Sequence, residues 1–569
     1  MMMKVTLLLL CLFFTDLALS NGGPGPIPPS LEEEFTFHSH SHLPIEFGIN
    51  GSINYKLPFV AHDGKQGERN LELFIHPLAI FGFDKVDRVV SLGTSNSSSL
   101  QQSQKQDRFL HIKSFKWDLG LGVEIETYLK FPLTLGIGPS YLRGKNYYRE
   151  TILNSRYEKR DKLRIPKTSE EFNKWRIGDK ITFGARSSFI FGASVSYSVI
   201  NTGVLVSSTG QYIIKFQKVS DTNLEVRITN LKTKARTLVA RALIVAGELE
   251  RYAARGNGFT FSYNMKSTEA VKALKQTLIG NLTLAQKIAK TDASTVEEIS
   301  SYNSIHNGNT QFSKFYIPLL YTYQKSRNKD YAIINKEFIS DDETKRISIS
   351  SITKENRTRG PLSKHMINSE TIRVITVEDI NKDEQSVLAS NVYWKFEKDK
   401  TTVSELKGFL SSIAKRTGIS RINDIKIPGG KLDFTRVQVA VNLSAQDVFV
   451  LFNEVSIKII KANAIAKLIR DFTTFGHKRF CKIKKESKCF RLYRNFILNA
   501  VKKIISNRDL ANSLFKTGEK KLALNKVNYI LKSLVDSNYL LKAFVAQAPN
   551  LDIKFSIEGE NIKRSTIEL

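Results

Sequence analysis

The chain has 569 residues, with 85 Lys+Arg against 55 Asp+Glu and a formal charge of +30. That excess favours polyanions such as lipopolysaccharide, acidic phospholipid, acidic wall polymer or nucleic acid, although a Lys-, Ile- and Asn-rich composition of the AT-rich kind produces the same balance without any ligand. Past the N-terminus no run of ~18 apolar residues occurs, which excludes a spanning helix there and leaves strands as the means of any membrane insertion.

Residues 1–20, MMMKVTLLLLCLFFTDLALS, place Lys4 ahead of an apolar core and Ala18 and Ser20 at its end, the pattern of a cleaved signal peptide. Export implies a periplasmic, outer-membrane-associated or secreted protein and ranks envelope polymer and lipid ahead of nucleic acid. Residues 21–42 form a Gly/Pro-rich leader ending in FHSHSH. His38, His40 and His42 share a face if extended, at a spacing suited to Zn or Cu, but no carboxylate or Cys joins them. No metal and no cofactor is assigned.

From 43 to 265 the hydrophobic period is two, predicting an antiparallel β-rich domain. LPIEFGINGSINYKLPF aligns Ile45, Phe47, Ile49, Ile53, Tyr55, Leu57 and Phe59, and ITFGARSSFIFGASVSYSV aligns Ile181, Phe183, Phe189, Phe191, Val195, Tyr197 and Val199. Between them DLGLGVEIETYLKFPLTLGIGPSYL (118–142) alternates apolar odd positions with Gly, Glu, Lys, Thr and Ser. A single strand from Leu119 to Tyr141 would extend roughly 76 Å, so the pattern predicts two in-phase strands broken at Pro132. The alternation suits a soluble antiparallel sheet or a membrane barrel alike, and the helical remainder of the chain favours the former.

Residues 266–292 have helical spacing through Val271, Leu274, Leu278, Leu282, Ala285 and Ile288 and read as a connecting helix. A second β-rich region is expected over 293–400. Beyond it, 401–569 reads as a mostly helical, basic region: Thr402 to Glu405 is a capping-box pattern, Gly418 is placed to end that helix, and LDIKFSI is a last strand. The fold class is therefore α+β, with antiparallel sandwich or barrel-like N-terminal and middle regions and a mostly α-helical C-terminal region.

The basic segment from Ile457 to Lys503 holds fourteen Lys/Arg against Asp471 and Glu486. In an oxidising compartment Cys481 and Cys489 read as one local disulfide, clasping a cationic loop. Arg479, Lys482, Lys484, Lys485, Lys488, Arg491 and Arg494 are the candidate anion-binding residues, with Phe480, Phe490 and Tyr493 interleaved. The competing reading is a solvated turn between two helices.

Enzyme motifs give only chance matches: Ser412 to Lys415 and Ser351 to Lys354 both fit S-x-x-K, and Lys516 to Gly518 fits K-T-G but precedes a helical pattern where a strand is required. The sequence thus predicts an exported non-enzymatic envelope or secreted protein that contacts anionic polymer or lipid through its basic C-terminal loop. The alternative is an outer-membrane β-barrel or pore-forming protein that inserts amphipathic strands. Oligomeric state is left open.

Overall fold

The computed structural model describes residues 45–48, 51–60, 66–92, 108–160 and 163–568, except 131–132, 198–199, 243–244, 318–320, 339–342, 360–364, 382–385, 425–426, 428–430, 476–485, 549 and 560–561. The signal peptide and the leader with its histidines lie outside these residues.

Among the described residues seventeen strands form one sheet. In chain order they are β1 (Ile45–Gly48), β2 (Gly51–Val60), β3 (Gln66–Leu92), β4 (Arg108–Lys130), β5 (Leu133–Leu153), β6 (Lys180–Tyr197), β7 (Ile200–Lys218), β8 (Asn223–Ala242) and β9 (Val245–Asn264). There follow β10 (Val296–Ile317), β11 (Tyr321–Phe338), β12 (Glu343–Arg359), β13 (His365–Asp379), β14 (Ser386–Thr402), β15 (Lys431–Leu443), β16 (Asp552–Gly559) and β17 (Ile562–Glu568). Helix α1 (Ser169–Asn173) lies between β5 and β6, α2 (Thr268–Leu278) and α3 (Thr283–Thr291) between β9 and β10, and α4 (Val403–Thr417) between β14 and β15. Between β15 and β16 come α5 (Ala445–Phe449), α6 (Glu454–Phe475), α7 (Glu486–Lys516), α8 (Lys520–Val535) and α9 (Asn538–Val545). The fold is α+β, a mostly antiparallel sheet with a helical C-terminal region.

From β3 onward each strand pairs antiparallel with the next, and β17 returns to β3 in parallel at Lys563↔Ser91 and Arg564↔Leu92. Parallel closure is what an odd number of alternating strands requires, since the first and last then run the same way. The rest of that edge of β3 is covered by β2 and β1. The sheet is thus a closed ring.

The strands expected over 43–265 and over 293–400 are contiguous within it. β9 and β10 pair from Val296↔Tyr263 to Phe315↔Val245, and three strands from the 401–569 region complete the ring. The stretch 118–142 is a hairpin whose arms end at Lys130 and begin at Leu133, with Leu121 opposite Tyr141. The connecting segment 266–292 is two helices, because Gly280 at φ 89° turns the chain after α2 and the Asn281 side chain accepts from the Thr283 amide.

Side chains alternate across a sheet, so continuous register assigns every residue a face. One row of directly opposed residues runs Leu121, Tyr141, Phe189, Ser208, Lys234, Ala253, Asn307, Tyr331, Ser350, Val374, Ser390 and Leu443 across β4 to β15. Helices pack on this face at two places. Helices α2 and α3, with Phe172 and Trp175, cover Ile181, Phe216, Val226, Phe261 and Tyr263. Helices α4 and α6 to α9 cover Val392, Trp394, Val437, Val439, Val441 and Phe555 in the largest core. Each fully buried Leu, Ile, Val or Phe there contributes roughly 1.5–3 kcal/mol.

On the opposite face, side chains two strands apart touch, as they do only on the concave side of a curved sheet. Tyr302 on β10 reaches Thr229 on β8 at 2.9 Å, and the Tyr252 hydroxyl donates to Asp330 on β11 at 2.5 Å. Gly258 and Gly308 occupy the intervening strands because a Cβ would lie 2.4 Å from the Tyr302 ring and 2.6 Å from the Asp330 carboxylate, respectively. This is the inner face of the ring.

Candidate functional site

Over the middle of β4 to β6 the outer face exposes apolar side chains. On β4, outward Leu121 is 67% exposed while inward Asp118 is 6% exposed; on β6, outward Phe189 is 51% exposed while inward Ser188 is 5% exposed. Phe115, Leu119, Leu135, Ile137, Tyr141, Phe183 and Phe191 extend the exposed apolar belt over β4, β5 and β6. Scattered apolar side chains need no explanation, but a contiguous patch marks an interaction surface. Register makes it contiguous: Leu121 faces Tyr141, and Tyr141 faces Phe189.

The inner face mixes ion pairs with buried apolar clusters, Leu110 and Ile112 on β4 and Ala332, Ile334 and Ile349 on β11 and β12. Asp118 meets Arg186 at 2.8 Å, and Glu397 meets Arg436 at 3.0 Å and Lys395 at 3.1 Å. Burial raises the Asp330 carboxyl to about 7, against the opposing effects of the Tyr252 hydrogen bond and the Arg373 charge. Burial also pulls His306 down to about 4. Its Nε2 lies 2.7 Å from the Ser304 hydroxyl, but no carboxylate bonds the ring among the described residues, and Ser304 also donates to the Gly256 carbonyl. A Ser–His contact without a third partner is no nucleophile triad.

Two strands from the belt, about 10 Å away, the outer face becomes cationic. Lys232, Lys234 and Arg236 point outward from β8, and Arg251 and Arg255 from β9; all five are exposed. Arg236 stands opposite Arg251, and Lys232 opposite Arg255. None of the five meets a carboxylate among the described residues, and no outward position of β7, β8 or β9 is acidic. Opposed like charges cost about 0.2–1 kcal/mol per pair. The sequence signal was the period-two K-T-K-A-R of 232–236, but opposition to Arg251 and Arg255 follows only from the β8–β9 register.

Of the sequence-predicted anion-binding residues, Arg479, Lys482, Lys484 and Lys485 lie outside the described residues, as does Cys481. Lys488, Arg491 and Arg494 are exposed in the first turns of α7. Cys489 is buried. Phe490 and Tyr493, expected among the charges at a binding surface, instead pack edge-on against Phe472 of α6 at 5.5 and 6.2 Å, because they fall on the core side of the helix. Lys516 to Gly518 is the terminus of α7, with Gly518 at φ 76°.

Among the described residues no cluster of three His, Cys, Asp or Glu could hold a metal ion, and no helix is long and apolar enough to cross a membrane. No family model, no curated protein and no solved structure matches this chain.

Proposed function

We propose that this is an exported, non-enzymatic protein that docks one side of its ring on a lipid membrane, with the β4–β6 belt entering the acyl region. The observation that carries this reading is the uncovered belt, headed by Leu121 and Phe189. Burying the exposed part of its nine side chains would contribute on the order of 10 kcal/mol before ordering costs. An acidic polymer offers no comparable apolar surface, so the belt favours lipid over envelope polymer. Exposed Lys488, Arg491 and Arg494 add cations for an anionic surface.

The closed ring favours a second reading, a spanning barrel. Two observations weigh against it. The helices cover the outward face of β14 to β16. The five cations on β8 and β9 would face hydrocarbon at roughly 2–4 kcal/mol each near the midplane, which cancels the gain from the belt.

Vesicle flotation tests the proposal. The wild-type chain is expected to float with vesicles and to be released by alkaline carbonate, whereas Leu121→Ser/Phe189→Ser/Phe191→Ser should stay at the bottom with an unchanged circular dichroism spectrum. Undiminished flotation of the triple variant would remove the belt from the account. Retention after carbonate would favour the spanning barrel, and a homodimer broken by the same substitutions would assign the belt to a second copy.

A further inference from the structure

We infer that the cationic ladder of β8 and β9 is a binding site for a lipid headgroup carrying phosphomonoesters, an inference that rests on the membrane reading above. Its centre is Ala253, an exposed small residue in a wall of long side chains. Lys234 stands directly opposite Ala253, Arg251 and Arg255 flank it two residues either way along β9, and Lys232 and Arg236 stand on the diagonals. On its other side Ala253 faces Asn307 of β10, whose neighbour Asn309 faces Arg251. Five cations and two amides therefore surround one shallow floor.

The spacing is fixed by the sheet. Pairing of β8 with β9 is unbroken from Asn223↔Asn264 to Ala242↔Val245, so the charges sit on a grid of about 5 Å across strands and about 7 Å along them. Phosphate groups on one headgroup fall within that span. Two Arg side chains supply planar forks that grip phosphate oxygens in pairs, and the Lys ammonium groups act as point charges. A solvated face would not require two cross-strand pairs of like charge with no carboxylate among them. An anion over Ala253 turns both repulsions into shared attraction.

Position supports a lipid source. Arg236 lies in the same cross-strand row as Val206 and Phe191, and Lys234 in the row of Ser208 and Phe189. A headgroup at the ladder thus leaves its acyl chains two strands from the belt.

The test uses the full chain with vesicles of phosphatidylcholine alone, with added phosphatidylserine, or with phosphatidylinositol bisphosphate at matched charge. The wild type should prefer the bisphosphate vesicles. Arg251→Gln/Arg255→Gln should weaken that binding about thirtyfold, from the usual contribution of two surface cations. It should leave binding to neutral vesicles unchanged. Both positions are exposed and each stands opposite a like charge on β8, so the double variant should melt no lower than the wild type, which separates lost binding from lost folding. If the belt variant loses all binding while the arginine variant keeps its preference, the membrane reading stands and this site falls. If neither variant loses binding, both fall. Equally tight binding of free inositol hexakisphosphate without vesicles would assign the site to a soluble polyphosphate and overturn the lipid source.

Discussion

Arg236 on β8 stands directly opposite Arg251 on β9, both exposed on the outer face of the ring, with no carboxylate at any outward position of β7 to β9. Without an anion that pair opposes folding. Arg236→Gln is expected to raise the stability of the ligand-free protein by about 0.2–1 kcal/mol at low ionic strength. The gain should shrink once the Debye length falls to about 10 Å at 0.1 M salt. Thermal melts at low and moderate salt check both statements, and a lower melting temperature for the variant would contradict them.

Two buried inner-face groups should give stability opposite pH dependences. The folded Asp330 carboxyl titrates near 7 against an ordinary 3.8, so the folded state holds its proton longer than the unfolded chain. Its contribution is most favourable below about pH 4 and is lost as pH rises towards 7. Asp330→Asn keeps an acceptor for the Tyr252 hydroxyl and should remove that loss, a difference on the order of a few kcal/mol by pH 7. His306 moves the other way, from 6.5 down to about 4. Its contribution is complete above pH 6.5 and is lost as pH falls towards 4, so His306→Gln should flatten the acid limb. Urea titrations at stepped pH measure both, and parallel curves for wild type and variants would contradict the assignment.

Glycines on the inner face should resist substitution where those on exposed helices do not. Gly258→Ala places a Cβ within 2.7 Å of the Ile228 carbonyl as well as against the Tyr302 ring. A cost of about 1–3 kcal/mol is expected from such overpacking. Gly408, within α4 with nothing near it, should instead gain roughly 0.5–1 kcal/mol on replacement by Ala. Equal denaturant midpoints for the two variants would undermine the concave-face account.

Local signals in the sequence translated well into elements. The alternation of 118–142 gave a hairpin whose arms end at Lys130 and begin at Leu133. Thr402 and Glu405 form a reciprocal capping box at the start of α4, and Gly418 at φ 84° ends it. What remained hidden is non-local. The joining of 43–265 to 293–400, and the return of β17 to β3, depend on pairings between segments far apart in sequence, which period-two patterns do not encode. The same patterns also left open which face of β4 to β6 is covered. An apolar row reads identically whether it meets a core or stays bare, and the bare state follows from where the helices pack: α2 and α3 reach β6 at Ile181, and α4 and α6 to α9 lie over β13 to β16. The cationic ladder was half visible in Lys232, Lys234 and Arg236, and its other half needed the register of β9.

Three tryptophans report on these surfaces separately, because Trp175 and Trp394 are buried in the two helix-covered cores while Trp117 points outward on β4 between Phe115 and Leu119. Quenching of intrinsic fluorescence by vesicles containing bromine-labelled acyl chains therefore tests the docking of the belt most directly. The account predicts partial quenching of the wild type and its loss in Trp117→Phe. Absence of quenching, or quenching that persists undiminished in Trp117→Phe, would contradict it.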